Sequence, residues 1–523
     1  MKFEEYFDRV KGCYLGKNIG GTLGAPFECY RGVYNIEGFM QDVSCPIPND
    51  DVDLQLVWLA AAEREGRAID SLVLADYWNT YVSAVISEYG TGKNNFNAGI
   101  LPPLSGHMRN VNRDSNGAWI RTEIWACLCA GNPALAATYA YYDACVDHSG
   151  EGVYSAVFTA AVESAAFFEK NVNALLEIGL SYLPEVCGVR TAVNLMRDCY
   201  AKGDDWKTAR IKLFQAVPSS FGEMNGLWKG TEEVPACAQC PAQNADPEIP
   251  PAVHGYDAPW SIGAIILGWL YGEGDFGKSI CLATNCGEDT DCTAGTLGAI
   301  LGIVNGAKAL PPKWVNGCSD KIVTWTLRTD ALLNAPKSVD ALCKRIVRQT
   351  PVFLQDRCKI TESGTYEIFP VETLCKKEML FPEHIQEDFS LVFACGHNTV
   401  RKHFRPYTLL VGFDEDLAYL TENETKRIRI TLLNQRFVPQ FVSVRLLGVP
   451  ADWEVAGGAE RRVGLEHWHG GYNDNSFTFE ITPHALTCGK YDLVLELCED
   501  GKFEKNYLAF SLLNGEGGLK EKG

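Results

Sequence analysis

The sequence predicts a multidomain protein: an all-α helical bundle over residues 1–345, a linker or domain-packing segment at 346–380, and an all-β sandwich over 381–523. Three observations predict this division. A chain of 523 residues exceeds what one hydrophobic core usually serves. Alanine- and leucine-rich segments at helical spacing recur up to about residue 345. After about residue 360 the texture changes to short runs rich in β-branched and aromatic residues, separated by turn residues.

The helical segments come first. VDLQLVWLAAAE (52–63), SLVLADYWNTYVSAVISEYG (71–90), IRTEIWACLCAG (120–131), the long run 153–183 and ALLNAPKSVDALCKRIV (331–347) carry apolar faces suited to helix-on-helix packing. A polar, proline-rich insert at about 230–256 reads as a long loop or lid. Its Cys237 and Cys240 have CxxC spacing, but no second CxxC completes a zinc knuckle.

The strand-like segments follow: 415–421, RIRITLLNQ (427–435), QFVSVRLLGV (440–449), SFTFEIT (476–482), KYDLVLELCE (490–499) and NYLAFSLL (506–513). Several alternate with period two, and PADW, NDNS, TCGK and EDGK mark turns between them. This is the pattern of an antiparallel, immunoglobulin-like sandwich of about 140–160 residues.

Charge limits the partners. The 47 basic against 66 acidic residues give a net charge of −19, which opposes nonspecific binding to nucleic acid or anionic membrane. The longest apolar stretches, such as SIGAIILGWLY, fall short of a membrane span. The start MKFEEYFDRVKGCYLG does not read as a signal peptide, and the 20 cysteines read as reduced thiols of a cytoplasmic protein.

Two glycine stripes stand out. Gly12, Gly16, Gly20 and Gly24 fall four apart, as do Ala294, Gly298, Gly302 and Gly306. On a helix each set forms one nearly bare face. Each glycine costs ~1 kcal/mol of helix stability relative to alanine, and close backbone approach between two buried helices is the simplest compensation. Glu28 follows the first stripe, just past the turn expected at Pro26.

Two acidic clusters lie beside the stripes. In PIPNDDVDLQ, Asn49 can cap a helix whose first turn holds Asp50, Asp51 and Asp53. In CGEDTDCTAG, Glu288, Asp289, Thr290 and Asp291 precede the second stripe. Capping accounts for one or two acids at a helix start. Adjacent like charges beside a close-packed surface are costly unless a cation joins them. The oxygen-rich set suits Mg²⁺, Mn²⁺ or Ca²⁺ rather than zinc, as one ion or a pair.

Taken together these residues resemble the ADP-ribosylglycohydrolase family, also called the dinitrogenase-reductase-activating glycohydrolase family. Its start G-x-x-x-G-D-A-L-G-x-x-x-E is met by GKNIGGTLGAPFE at 16–28, and its T-D-D-T by NDDV at 49–52. Its G-G-D-T-D-T-x-A is met within GEDTDCTAGTLGAILG at 287–302, and its S-x-G-N-G-A-x-x-R in part by RDSNGAWIR at 113–121. The resemblance spans roughly residues 8–335.

The resemblance implies a helical bundle with two divalent cations, usually Mg²⁺, held between the two acidic motifs. It implies hydrolysis of α-linked ADP-ribose from an acceptor. Asn49, Asp50 and Asp51 stand where the first motif's ligands stand, and Asp289, Asp291 and Cys292 where the second's do. Glu28 matches an early glutamate tied to catalysis, and Asp50 and Asp289 join it as catalytic candidates. Asn116, Gly117 and His148 would line a ribose or phosphate cleft. Trp119 and Tyr256, with Trp125 and Trp260, are candidates for adenine stacking or sugar walls.

Four departures bear on this. Asn49 replaces a threonine, Val52 another, Gly21 an aspartate, and Cys292 a hydroxyl ligand by a thiol, a poor partner for Mg²⁺. The expected function is hydrolysis of an O- or N-glycosidic bond in a small glycoside. The alternatives are an ADP-ribosyl-acceptor hydrolase and a non-catalytic carbohydrate- or protein-binding scaffold.

Lesser candidates remain. His467 and His469 share a face if they lie in a strand. His397 and His403 lie in a local basic patch expected at a solvated surface, and Cys13, Cys29 and Cys45 are expected to be buried, inert thiols.

Overall fold

The computed structural model describes residues 1–28, 32–40, 43, 47–217, 256–328, 334–375, 398–434, 439–466, 475–503 and 505–515. The chain divides into two units, one of Met1–Asn94 and Pro102–Ile385, the other of Asn95–Leu101 and Gln386–Gly523. The pair Cys237/Cys240 with its insert, His397, His467, His469, Cys29 and Cys45 lie outside the described residues.

The first unit is built of helices. α1 (Phe3–Gly24), α2 (Asp50–Glu65), α3 (Ser71–Tyr81) and α4 (Ser87–Asn97), whose last residues from Asn95 count with the second unit, come first. α5 (Leu104–His107), α6 (Glu123–Leu128), α7 (Pro133–Ala144) and α8 (Glu151–Ala166) follow. Then come α9 (Val172–Leu180), α10 (Gly188–Lys202), α11 (Trp206–Ala216) and α12 (Ala258–Gly272). α13 (Phe276–Asn285), α14 (Thr290–Asn305), α15 (Pro312–Val315) and α16 (Val339–Leu354) complete the set. Local chemistry fixes many ends: Asn132 caps α7 with proline at its first position, and α10 stops at Gly203 in the left-handed region.

α1 and α14 are the central pair, and the two stripes face each other. Gly12 lies against Gly302, Gly16 against Gly298, Gly20 against Ala294 and Gly24 against Thr290. A Cβ added at any of the four α1 glycines would meet α14 backbone well inside the 3.0 Å that real Cβ atoms respect. The helix-propensity cost of these glycines is therefore offset by backbone contact, as the spacing predicts. This pair carries the start of α14 to the end of α1, where both acidic clusters meet.

α16 runs past residue 345 to Leu354 and leads into a hairpin, β1 (Cys358–Ile360) with β2 (Tyr366–Ile368). The hairpin is tied to the chain start: the Met1 ammonium donates to Ile368 O at 2.6 Å, and Ile368 N–H donates to Met1 O at 2.9 Å. Residues 346–368 thus pack with the helical unit.

The second unit holds β3 (Val400–Phe404), β4 (Tyr407–Phe413), β5 (Tyr419–Leu420), β6 (Lys426–Asn434) and β7 (Gln440–Leu447). β8 (Glu454–Val455), β9 (Glu460–Leu465), β10 (Asn475–Thr482), β11 (Lys490–Glu499) and β12 (Lys505–Asn514) follow. They form two sheets, ordered β3-β4-β6-β10-β8 and β5-β12-β11-β7-β9. Pairing is antiparallel except β5 with β12. Alternate residues such as Ile428, Ile430 and Leu432 of one sheet and Leu493, Leu495 and Leu497 of the other share one core. A two-sheet domain therefore follows the helices. His403 is buried within it, accepting or donating at Thr408 Oγ1 (3.2 Å), and burial pushes its pKa down to about 4. The solvated surface expected of it is corrected: Val400 and Phe404 of β3 pack on the sheet core, so His403 lies on the opposite face, where Phe96 covers its ring (centroids 4.7 Å apart). No helix among the described residues is long and apolar enough to cross a membrane.

Candidate functional site

A cleft of about 610 Å³ opens in the helical unit. Its lining includes Glu28, Asn49, Asp50, Glu88, Asn116, Gly117, Tyr256, Asp289, Asp291 and Cys292, so residues far apart in sequence meet there.

The first acidic cluster enters through the start of α2. The Asn49 side chain caps the helix, its Oδ1 accepting from Asp51 N–H at 2.8 Å. Its amide nitrogen fills the space beside Gly21, where a Cβ would collide with it. The glycine at 21 and the asparagine at 49 are thus one steric pair. Asp50 faces the cleft and accepts from the Tyr89 hydroxyl at 3.3 Å. Burial, then the neighbouring Asp51 charge, pushes its pKa up to about 7. Asp53 turns away: its Oδ2 accepts from Trp325 N–H (2.8 Å), Thr326 N–H (3.0 Å) and the Thr326 hydroxyl (3.0 Å).

The second cluster divides its tasks. Glu288 takes a left-handed backbone (φ 65°) in the turn before α14. The Thr290 hydroxyl donates to Gly24 O at 2.8 Å and ties α14 to α1. Asp289 sits at the N-cap position but makes no capping bond with its side chain. Its Oδ2 instead accepts from Asn116 Nδ2 at 2.6 Å. Capping therefore explains Asn49 and does not explain Asp289.

Buried acids are left needing a cation. Glu28, Asp289 and Asp291 bring one oxygen each within 4.8 Å of one another, and Asp51, Asp291 and Cys292 form a second such set. Asp291 is common to both. Asp289 Oδ1 and Asp291 Oδ1 are buried and accept from no donor. Burial first, then Asp291's charge, raises Asp289 well above the carboxylate range; burial first, then Glu28's charge, does the same to Asp291. An unpaired buried carboxylate is costly, and a hard divalent cation supplies what these oxygens lack. The donor set fits such an ion. Cys292 is a thiol here: burial and the surrounding carboxylates push it up, and it donates to Asp51 Oδ1 at 3.3 Å.

Behind Asp51 lies a cation that the motifs do not announce. Lys17 of α1 is fully buried, with Nζ 2.8 Å from Asp51 Oδ2 and 2.8 Å from Glu123 Oε1. Burial would lower its pKa, but the two carboxylates outweigh that and raise it. Glu123, pushed up by burial to about 7, also accepts from Gln55 Nε2 at 2.7 Å.

A third network backs the opposite wall. Ser115 Oγ lies 3.0 Å from His148 Nε2, and His148 Nδ1 lies 2.8 Å from Asp147 Oδ1. Arg121 clamps Asp147 (2.7 and 3.1 Å) and Asp143 (2.9 Å). Burial alone would raise Asp147, yet Arg121 and His148 hold it down, at about 2; Asp143, without the histidine, is raised by burial to about 6. Glu88 lines the cleft with Oε1 3.7 Å from His148 Nε2, and burial raises its pKa.

Glu28, Asn49, Asp50, Asn116, Gly117, Tyr256, Asp289, Asp291 and Cys292 come together at the cleft, and Asp51 sits just beneath it. His148 is fully buried and reaches the cleft only through Ser115 and Glu88. The expectation of Trp119 as a substrate wall is corrected: it is wholly buried and its indole N–H donates to Asn116 Oδ1 at 2.9 Å. Trp125 stacks on Tyr139, and Trp260 packs on Phe214. Both are core residues. The sequence motifs do not flag Lys17, Glu88, Ser115 or Glu123. A lysine inside a glycine-striped helix was the available signal for Lys17, and Ser115 lies within the matched segment RDSNGAWIR; Glu88 and Glu123 had none.

The sequence model of the family described as ADP-ribosylglycohydrolase matches residues 3–350. A solved structure described as an ADP-ribosylglycohydrolase-related protein complex is 18% identical over 66% of this chain and 100% of its own, with a TM-score of 0.41. No curated protein matches the chain. The family match and the two metal-capable acidic sets support a metal-dependent hydrolase fold of this superfamily. With 3–350 of 523 residues matched and both acidic motifs meeting at one cleft, the chain belongs to the ADP-ribosylglycohydrolase family.

Proposed function

We propose that the helical unit hydrolyses the glycosidic bond of a small, uncharged O- or N-glycoside, with divalent metal held by Glu28, Asp289 and Asp291, and with Asp50 lining the same cleft. One observation carries the choice of an uncharged substrate. The cleft lining contains Glu28, Asp50, Glu88, Asp289 and Asp291, and no Lys or Arg among the described residues. A diphosphate would enter against that field; a neutral sugar would not. Bound metal supplies charge to hold vicinal hydroxyls and to acidify water.

The chain's own residues do the rest. Asn116 fixes Asp289 by its 2.6 Å hydrogen bond, so the carboxylate keeps its aim. Glu28, at the rim, accepts a proton from the attacking water or from a sugar hydroxyl. Glu88, raised by burial, is the carboxyl suited to return a proton to the leaving group. The Ser115–His148–Asp147 chain keeps that wall rigid.

The rival substrate, an ADP-ribosylated acceptor, follows from the family's description alone. A panel of nitrophenyl glycosides, nucleosides and ADP-ribosyl-arginine or -serine, assayed with Mg²⁺ or Mn²⁺, separates the two. The expected result is turnover of a neutral glycoside that falls at least ~100-fold in Asp291→Asn and in Glu28→Gln. Turnover confined to the ADP-ribosyl compounds contradicts the neutral-glycoside reading. Absence of all turnover and all bound metal favours the scaffold alternative.

A further inference from the structure

We propose that Lys17 Nζ serves as a built-in cation on the Asp51 side of the acidic cluster, so that the site takes one divalent ion, at Glu28, Asp289 and Asp291, rather than two. This rests on the metal-dependent reading above. Lys17 is fully buried and reaches four oxygens: Ile120 O (2.7 Å), Asp51 Oδ2 (2.8 Å), Glu123 Oε1 (2.8 Å) and Thr296 Oγ1 (2.9 Å). Ile120 O and Thr296 Oγ1 accept hydrogen bonds from the ammonium, and the two carboxylates hold it by charge.

The cation is also fixed in place. Lys17 follows Gly16, one of the stripe residues that bring α1 against α14. Its stem lies alongside Gly295, with Cδ 3.4 Å from where a Cβ on that residue would stand.

The two potential sets differ in what they leave unmet. On the Asp51 side a positive charge is already in place: the ammonium is ion-paired with Oδ2 at 2.8 Å, without a directed hydrogen bond, and the Cys292 thiol donates to Oδ1 (3.3 Å). On the other side Asp289 Oδ1 and Asp291 Oδ1 are buried without any donor. A divalent ion at Asp51 would have to sit beside a buried ammonium, where low polarity strengthens repulsion. An ion among Glu28, Asp289 and Asp291 would meet three carboxylates that lie within 4.8 Å of one another.

The test is a Mn²⁺ titration of the metal-free full-length protein, followed by electron paramagnetic resonance and by metal counting after equilibrium dialysis. The expected wild-type result is one equivalent with an isolated six-line spectrum. Cys292→Thr, which offers a harder oxygen, stays at one equivalent because the ammonium remains. Lys17→Met combined with Glu123→Gln removes one cation with one anion, and raises the count to two with a spin-coupled spectrum. Two equivalents in the wild type overturn the inference and leave the metal-dependent reading standing. Two equivalents in Cys292→Thr alone overturn it in favour of the thiol as the block, and a folded double variant held at one equivalent also overturns it. Zero equivalents in the wild type overturn the metal-dependent reading itself. If the double variant does not fold, the wild-type and Cys292→Thr counts still decide.

Discussion

Replacing Asp50 by asparagine should stabilise the metal-free protein at high pH and do little at low pH. The folded pKa of Asp50 is pushed up from 3.8 to about 7, by burial and then by the Asp51 charge. An acid whose folded pKa exceeds its unfolded one prefers to be protonated in the native state. Its contribution is complete below the unfolded value and is lost as pH climbs through the folded value. The shift of about 3 units corresponds to about 4 kcal/mol at 1.36 kcal/mol per unit. Asparagine mimics the neutral form at every pH and keeps an acceptor for the Tyr89 hydroxyl. After EDTA treatment, urea unfolding of Asp50→Asn against wild type should give a gain of about 1 kcal/mol at pH 4.5 and about 4 kcal/mol at pH 8. Saturating Mn²⁺ should remove most of that advantage, because bound metal favours the carboxylate. An equal effect at both pH values would show that the folded protein does not raise the Asp50 carboxyl.

Two further substitutions probe the frame of the site. Gly16→Ala gains ~1 kcal/mol of helix propensity but drives a methyl into the Gly298 carbonyl, so the net effect should be a loss of roughly 2 kcal/mol or more by urea unfolding. A stabilised variant would contradict the close approach of α1 and α14. Arg121→Met leaves Asp143 and Asp147 without their cation and removes a guanidinium 4.4 Å above the Trp78 ring. It should cost ~3–5 kcal/mol, read from thermal or urea unfolding at neutral pH.

What the sequence disclosed was whatever has short-range spacing. Glycines four apart announce a bare helix face, and the structure sets those two faces together. NDD and EDTD are likewise local, and they converge on one cleft. The change from helical to strand periodicity was equally plain, and a two-sheet domain follows the helices. Burial is not local, and this is where sequence reasoning failed. Trp119 holds Asn116 rather than facing the cleft, because the short 3-10 turn Trp119–Arg121 directs it inward. His403 stands among charged neighbours in sequence, yet Phe96, some three hundred residues earlier, packs edge-on against its ring and buries it. Lys17, Glu123 and Glu163 meet beneath the site only because α1, α6 and α8 cross there. Glu163, raised well above the carboxylate range by burial and then by Glu123, shows how acidic that interior is. No pairwise spacing encodes such a junction.

The departures from the family pattern gain a physical reading from their neighbours. Gly21 and Asn49 compensate each other in space, the amide occupying the room a side chain at 21 would need. Cys292 is spent on Asp51 as a hydrogen-bond donor, which keeps the thiol protonated. Both changes leave the carboxylates of Asp289 and Asp291 free to act as hard ligands.

Everything proposed for the cleft depends on Glu28, Asp289 and Asp291 forming a divalent-metal centre within it. The most direct measurement is an anomalous difference map from crystals of the wild-type protein soaked in Mn²⁺, collected on the high-energy side of the manganese edge. A strong peak bonded to carboxylate oxygens of all three residues is expected. A map with no peak there, the three carboxylates turned apart in well-ordered density, would contradict it.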